Sequence, residues 1–210
     1  MTNYWDSPFI NQLTGEELQI IFEVGARTGE ESIKLSKLFS NAQVYAFECN
    51  PLIVDEVRET FNGFENIHFF DCGLGDKNET LPFYSFVAGN IGASSLYKRI
   101  DFDQTQKETG HVTITKLSDF TKTNGVEKID LLCMDVQGYE LNILKGAEHF
   151  IQNVKYIIME EPKPNQENVK YIGAPSSNEI QEFMKKNNFV EIVRLSENLI
   201  EDNVMYKRLD

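Results

Sequence analysis

The chain has 210 residues, with 20 Lys and Arg against 33 Asp and Glu, a formal net charge of -13 and a pI near 4.7. That length fits a single domain over residues 1–210, able to bury about 70% of its unfolded surface, and the acidic balance argues against a nucleic-acid or membrane partner, since polyanions need clustered Lys and Arg. Cys49, Cys72 and Cys133 form no C-x-x-C pair, which disfavours zinc and disulfides, and with no signal-peptide pattern or apolar run of about 18 residues the expected setting is the cytoplasm.

Thr14 and Glu17 have the spacing of a capping box, followed by an apolar strand from Leu18 to Val24. The strand runs into Gly25-Ala26-Arg27-Thr28-Gly29, a Gly-x-x-x-Gly turn with Glu23 two residues before its first glycine. Glycines let the backbone turn tightly and approach a ligand, while the following helix points its free amides into the crevice. A dinucleotide site would use Gly-x-Gly-x-x-Gly. Here the middle glycine is missing, and an acid on the strand suits an ammonium group better than a pyrophosphate. A nucleoside with an amino-acid tail, S-adenosylmethionine (SAM), meets both conditions.

Glu30 to Phe39 has helical periodicity, and Ala42 to Phe47 reads as a second strand ending in Glu48, 19 positions after Gly29. A carboxylate at that strand end is placed to accept hydrogen bonds from a ribose diol. Asn50 then caps a helix beginning at Pro51, and Asn66 to Cys72 is a third strand broken by the turn residues Gly73 to Asp76. A strand from Thr80 to Phe86 leads to the Gly- and Ser-rich Gly89 to Ser95. The polar stretch from Lys98 to Gly110 reads as a lid, with a short strand from His111 to Thr115 after it.

A helix opens at Leu117-Ser118-Asp119-Phe120 and ends before Gly125. Ile129 to Val136 is a near-continuous apolar run closing on Asp135, as expected of a strand buried on both faces. Helix from Gly138 to Phe150, strand from Val154 to Met159, and the acids Glu160 and Glu161 follow. Ser176 and Glu179 cap a helix through Lys186, and the chain finishes with strands from Phe189 to Leu195 and Asn203 to Lys207. This alternation predicts a doubly wound α/β sheet with a terminal hairpin.

Asp135, Glu160 and Glu161 should converge on the rim of such a sheet. Two like charges 4 Å apart repel by about 4 kcal/mol at an effective dielectric near 20, so the cluster predicts a counter-charge. Oxygen ligands without histidine suit Mg²⁺, with Mn²⁺ or Ca²⁺ as variants, and such an ion would acidify an acceptor hydroxyl. Alternatively, Asp135 touches only substrate while Glu160 or Glu161 caps a helix or faces water. Lys163 and His111 are the general-base candidates, and Glu140 is either a base or a helix-dipole partner.

Together, Glu-Val-Gly-Ala-Arg-Thr-Gly (23 to 29), Phe47-Glu48-Cys49-Asn50-Pro51, Gly92-Ala93-Ser94-Ser95-Leu96, Leu117 to Phe120 and Met134-Asp135-Val136-Gln137-Gly138-Tyr139-Glu140 resemble the FkbM-type family of SAM-dependent methyltransferases. The family pattern has Asp before the glycine turn, Phe-Glu-Pro-Asn-Pro, and Asp-Val-Glu-Gly, where this chain has Glu23, Cys49 and Gln137. The resemblance implies a Rossmann-like class I fold: a mostly parallel seven-stranded sheet, helices on both faces and an antiparallel C-terminal hairpin. It also implies methyl transfer from SAM to a hydroxyl of a sugar, glycan or similar small-molecule acceptor.

By the same analogy Glu23 faces the methionine amine, Gly25, Ala26 and Gly29 line the methionine and ribose, and Glu48 holds the ribose diol, with Cys49 beside it among the cofactor-binding residues. Asp71 and Cys72 flank the adenine, Ser94 and Ser95 cover the methionine or acceptor end, and Asp135 reaches both cofactor and acceptor. Two other readings stay open. A methyltransferase-like binding module without activity is kept alive by Gln137, and a nicotinamide-dependent oxidoreductase shares the sheet and the ribose acid.

Overall fold

The computed structural model describes residues 7–89, 91–100, 105–164 and 170–209. Its elements are α1 (Ser7–Leu13), β1 (Ile20–Val24), α2 (Glu30–Leu38), β2 (Gln43–Phe47), α3 (Val54–Thr60), β3 (Ile67–Phe70), β4 (Gly73–Gly75), β5 (Glu79–Phe86), β6 (Gln106–Lys116), α4 (Leu117–Thr123), β7 (Ile129–Met134), α5 (Glu140–Gly146), β8 (Val154–Pro162), α6 (Ser177–Lys186), β9 (Phe189–Ser196) and β10 (Glu201–Arg208). Seven strands form the main sheet in the order β3-β2-β1-β7-β8-β10-β9. The pairs from β3 to β8 are parallel, and β10 runs antiparallel to both neighbours. The expected class I architecture is therefore present.

Strand alternation divides the core between the two faces of this sheet. Phe22, Val24, Leu132, Met134, Ile157 and Met159 pack with α4, α5 and α6. Ile21, Leu131, Cys133, Tyr156 and Ile158 pack with α1, α2 and α3. Both faces are covered, so the central strands read as near-continuous apolar runs, interrupted by Glu23 in β1 and Asp130 in β7. On the first face Phe120 stands edge-on to Phe22, Phe47 and Phe70, with ring centroids 5.7, 4.9 and 4.8 Å away.

Several local expectations change. Thr14 does not open a helix: its hydroxyl donates to the Ile10 carbonyl at 3.2 Å and closes α1. Asn50 starts a turn, its Oδ1 accepting from the Leu52 amide at 3.1 Å, but α3 begins only at Val54. Gly73 to Gly75, expected as a turn, is β4, and it joins β5 and β6 in a second, three-stranded sheet. The helix expected from Gly138 to Phe150 is α5 followed by a 3₁₀ segment, Glu148–Asn153, with Glu148 in a left-handed conformation at φ 48°. The Ser176–Glu179 capping box is present as expected.

The expected lid is also largely ordered by pairing. Residues 106–110 belong to β6, and residues 98–100 run against 170–172 through Ile100 N–H to Lys170 O (2.9 Å) and Ile172 N–H to Lys98 O (2.8 Å). Residues 101–104 of that stretch, and 165–169 of the loop after Pro162, lie outside the described residues. Among the described residues no helix is long and apolar enough to cross a membrane.

Candidate functional site

A cleft of about 640 Å³, open mouth included, lies where β1 and β2 end, and the second sheet supplies its far wall through Leu74, Phe83 and the nearby Leu96. Gly25, Glu48, Cys49, Cys72, Ser94 and Asp135 line it among the expected site residues. The carboxyl ends of parallel strands are where open α/β sheets hold their ligands. Arg27, Asn50, Ile53 and Tyr139 also line it and were not foreseen. Asn50 and Ile53 fall beside the Glu48 motif, so proximity in sequence was an available signal for them. Leu96 closes the Gly92 to Leu96 motif, whereas Phe83 carries no local signal, because it reaches the cleft only through the second sheet.

The turn after β1 is built by close approach. Gly25 sits at φ 89°, and a Cβ there would stand 2.2 Å from the Asp135 carbonyl oxygen, so only glycine lets β1 and β7 meet at this point. The amides of Gly25 and Ala26 both donate to the Phe47 carbonyl at 2.9 Å. Gly29 at φ 79° has a different use: a Cβ there would meet the Phe61 ring at 2.7 Å, so this glycine serves helix packing and does not line the cleft. Ala26 is fully buried and also off the cleft wall.

Glu48 is braced on three sides. Its Oε2 accepts from the Arg27 amide (2.8 Å), and Oε1 from the amides of Cys49 (2.9 Å) and Asn50 (2.7 Å). Burial raises its pKa against the downward pull of those amides. Such a fixed carboxylate at a cleft wall, with lone pairs left over, matches what a ribose diol requires. Burial likewise pushes the Cys49 and Cys72 thiols up, so both are neutral.

Glu23 lies behind this wall. It is buried, accepts from the Ser32 hydroxyl of α2, and burial holds its carboxyl well above the ordinary carboxylate range. Asp71 is exposed and pairs with Arg58 at 2.6 Å, away from the cleft. Ser94 lines the cleft, donating to the Ile91 carbonyl at 2.6 Å. Ser95 does not; its hydroxyl donates to the Gln137 carbonyl at 2.8 Å and ties the loop to the end of β7.

Glu160 and Glu161 separate, because neighbouring residues of a strand face opposite sides. Glu161 is fully buried toward α6, ion-paired with Arg194 and accepting from Tyr206 Oη at 2.7 Å. Glu160 turns toward Asp135, and between them sits the Gln137 amide: Nε2 donates to Asp135 Oδ1 at 2.6 Å and to Glu160 Oε2 at 2.9 Å. Gln137 holds a left-handed backbone, φ 55°, and its Oε1 lies 2.8 Å from Tyr171 Oη. Burial raises the pKa of both acids, opposed at Asp135 by the Gln137 hydrogen bond and reinforced at Glu160 by the Asp135 charge.

The three-carboxylate cation site expected from sequence therefore does not fit. One acid is committed to Arg194, and an amide N–H₂ occupies the space between the other two, where its donors satisfy the charges an ion would otherwise satisfy. Among the described residues no three His, Cys, Asp or Glu side chains are grouped to hold a metal ion. The base candidates are also off the cleft. His111 is exposed on β6 opposite Pro82, and Lys163 Nζ bonds Ser196 Oγ at 2.7 Å and lies 3.6 Å from Asp202. Glu140 is buried and accepts from the amides of Val136 (3.2 Å) and Gly138 (3.3 Å), closing the turn into α5, and burial pushes its pKa up to about 7.

A smaller pocket of about 400 Å³, also including open solvent, lies beyond Glu160 and is lined by Gly138, Glu140, Lys170, Tyr171, Ile200 and Glu201 among others. Gln137 thus stands between an acid of the first cleft, Asp135, and an acid of this second pocket, Glu160.

Comparison with known proteins bears on this arrangement. The methyltransferase FkbM domain matches residues 23–191. The chain is similar to 2-O-methyltransferase NoeI of Sinorhizobium fredii, at 24% identity over 67% of this chain and 62% of that protein. It is also similar to the hexuronic acid methyltransferase AglP of Haloferax volcanii, at 27% identity over 69% of this chain and 56% of that one. The chain spans about three fifths of the length of these curated relatives. In fold it resembles a SAM-dependent methyltransferase from Aquifex aeolicus (TM-score 0.53, 13% identity, 97% of this chain and 90% of that one). An rRNA methylase from Streptococcus thermophilus has a similar fold (TM-score 0.54, 12% identity, 98% and 99%).

Proposed function

This chain belongs to the methyltransferase FkbM domain family, and on that premise we propose that it transfers the methyl group of SAM to a hydroxyl oxygen of a sugar or similar polyhydroxyl acceptor. The observation that carries the reading is the cleft at the ends of β1 and β2, with Glu48 pinned by three backbone amides at its wall and Asp135 at its rim. When bound, SAM supplies an activated methyl group on a positively charged sulfur. The sugar class of the acceptor is supported by the printed functions of the relatives, 2-O-methylation and hexuronic acid methylation.

The protein's own part is positioning and proton transfer. Glu48 orients the ribose, and the neutral walls of Phe83, Leu74 and Leu96 exclude water from the base. Asp135, at the rim of the cleft, would hold the acceptor hydroxyl and take up its proton, and SAM bound beside Glu48 would supply the methyl group. Gln137 fixes the Asp135 carboxylate for this task, and Glu160, sharing the same amide, keeps it in place. Burial raises the Asp135 pKa and strengthens it as a base. No metal ion enters this route.

Calorimetric titration with S-adenosylhomocysteine tests the cofactor half: micromolar-scale binding is expected, weakened tenfold or more by Glu48→Ala. A panel of glycosides with radiolabelled SAM tests the second half. Absence of cofactor binding in the folded wild-type protein refutes the reading, and binding without transfer to any polyol points to a binding module instead.

A further inference from the structure

Among the described residues Arg27 is the single Lys, Arg or His side chain lining this cleft, whose other charged lining groups, Glu48 and Asp135, are acids. Its backbone is held in place: the amide donates to Glu48 Oε2 at 2.8 Å and φ is 52°, a left-handed conformation rare outside glycine. Its guanidinium rests over Gly92. A Cβ at that glycine would lie 2.8 Å from Cζ, 3.0 Å from Nε and 3.1 Å from Nη1, so the bare backbone of the Gly- and Ser-rich loop leaves the space in which the planar group sits.

Several cations elsewhere in this chain pair with its surplus of acids, as Arg58 does with Asp71, Lys116 with Glu148, Lys155 with Glu16 and Arg194 with Glu161. Arg27 does not: among the described residues no carboxylate lies within ion-pair distance of its guanidinium, and Asp135 feels it only as a charge at longer range. Arg27 is exposed, and its guanidinium, a planar fork of N–H donors at the cleft wall left without an acid, matches a planar anion of single charge. A dianion such as a phosphate monoester fits less well beside Glu48 and Asp135.

We propose that Arg27 is the carboxylate-binding residue of this cleft, taking either the carboxylate at the methionine end of the cofactor or that of an acidic sugar acceptor. The proposal deepens the methyl-transfer reading and rests on it. Neither source is reachable from the sequence motif, since the pairing of Arg27 with Gly92 spans two distant loops.

The test titrates the full chain with SAM and with decarboxylated SAM, which keeps the amine and the sulfonium, and then compares turnover of a methyl glucuronide with that of the matching glucoside. If the cofactor supplies the carboxylate, Arg27→Gln weakens SAM binding about ten- to hundredfold and decarboxylated SAM less than about twofold. If the acceptor supplies it, SAM affinity holds while kcat/KM for the glucuronide falls about tenfold or more relative to the glucoside. Equal effects on the members of each pair, including no effect, overturn the proposal. Thermal melts establish that each variant folds, and Arg27→Lys, which keeps charge without the fork, substitutes for a glutamine variant that does not. Wild-type protein that fails to bind SAM refutes the methyl-transfer reading, whereas intact binding with equal losses refutes only the role of Arg27.

Discussion

Replacing Glu140 by glutamine should flatten the pH dependence of this protein's stability. In the folded chain, burial pushes the Glu140 carboxyl from its ordinary 4.5 up to about 7, helped by repulsion from Asp135 and opposed by the amides of Gly138 and Val136. Below pH 4.5 the folded and unfolded states are both protonated and the group is neutral to stability. As pH rises toward 7 the unfolded chain loses this proton while the folded chain keeps it, so stability falls with pH. Across that window, at about 1.36 kcal/mol per pH unit, the loss approaches about 3 kcal/mol. For a chain of this length that corresponds to about 6–12 °C in Tm.

Glutamine keeps the oxygen that accepts from Val136 and Gly138 and cannot ionise. Urea unfolding at intervals between about pH 4.5 and about pH 7 should therefore show wild type losing about 3 kcal/mol more than Glu140→Gln. Glu23, Glu48, Asp135 and Glu160 have raised pKa values as well and contribute a slope of the same sign. They remain in the variant, so the difference between the two proteins belongs to Glu140 and its repulsion with Asp135. Parallel pH profiles would refute the assignment of a buried, proton-holding Glu140.

Further expectations follow from the same geometry. Glu161→Ala removes one of the three carboxylates around Arg194, which keeps Glu191 and Asp202, and takes the acceptor from Tyr206, so it should cost about 1–3 kcal/mol in unfolding free energy while leaving S-adenosylhomocysteine affinity within about twofold; lost cofactor affinity in a protein of unchanged stability would contradict this structural role. Gly25→Ala places a methyl group 2.2 Å from the Asp135 carbonyl at a backbone φ of 89°, so expression should fall and Tm should drop sharply, and a variant melting like wild type would mean that β1 and β7 approach differently. Exhaustive chelation should leave turnover unchanged, because Gln137 already bridges Asp135 and Glu160; activity lost on chelation and restored by Mg²⁺ would show that the amide turns aside for an ion.

The order of the main-sheet elements, the glycine turn after β1 and the acids ending β2 and β7 were legible in the sequence. Apolar periodicity sets strands and helices locally, and a residue at a parallel strand's end faces the crevice wherever that strand lies. The chain's linear pattern did not reveal the second sheet, since β4 pairs with β6 across more than the whole of β5 and three residues of Gly-Leu-Gly carry no strand signal alone. Nor did it separate Glu160 from Glu161, whose fates diverge because a strand's side chains alternate and only packing decides which face meets α6 and which meets Asp135. Gln137 and Arg27 make the same point. Their residue types were visible, but an amide between two acids and a guanidinium over a distant glycine exist only once β7, β8 and the 91–93 turn are brought together, because such contacts depend on distance in space and not along the chain.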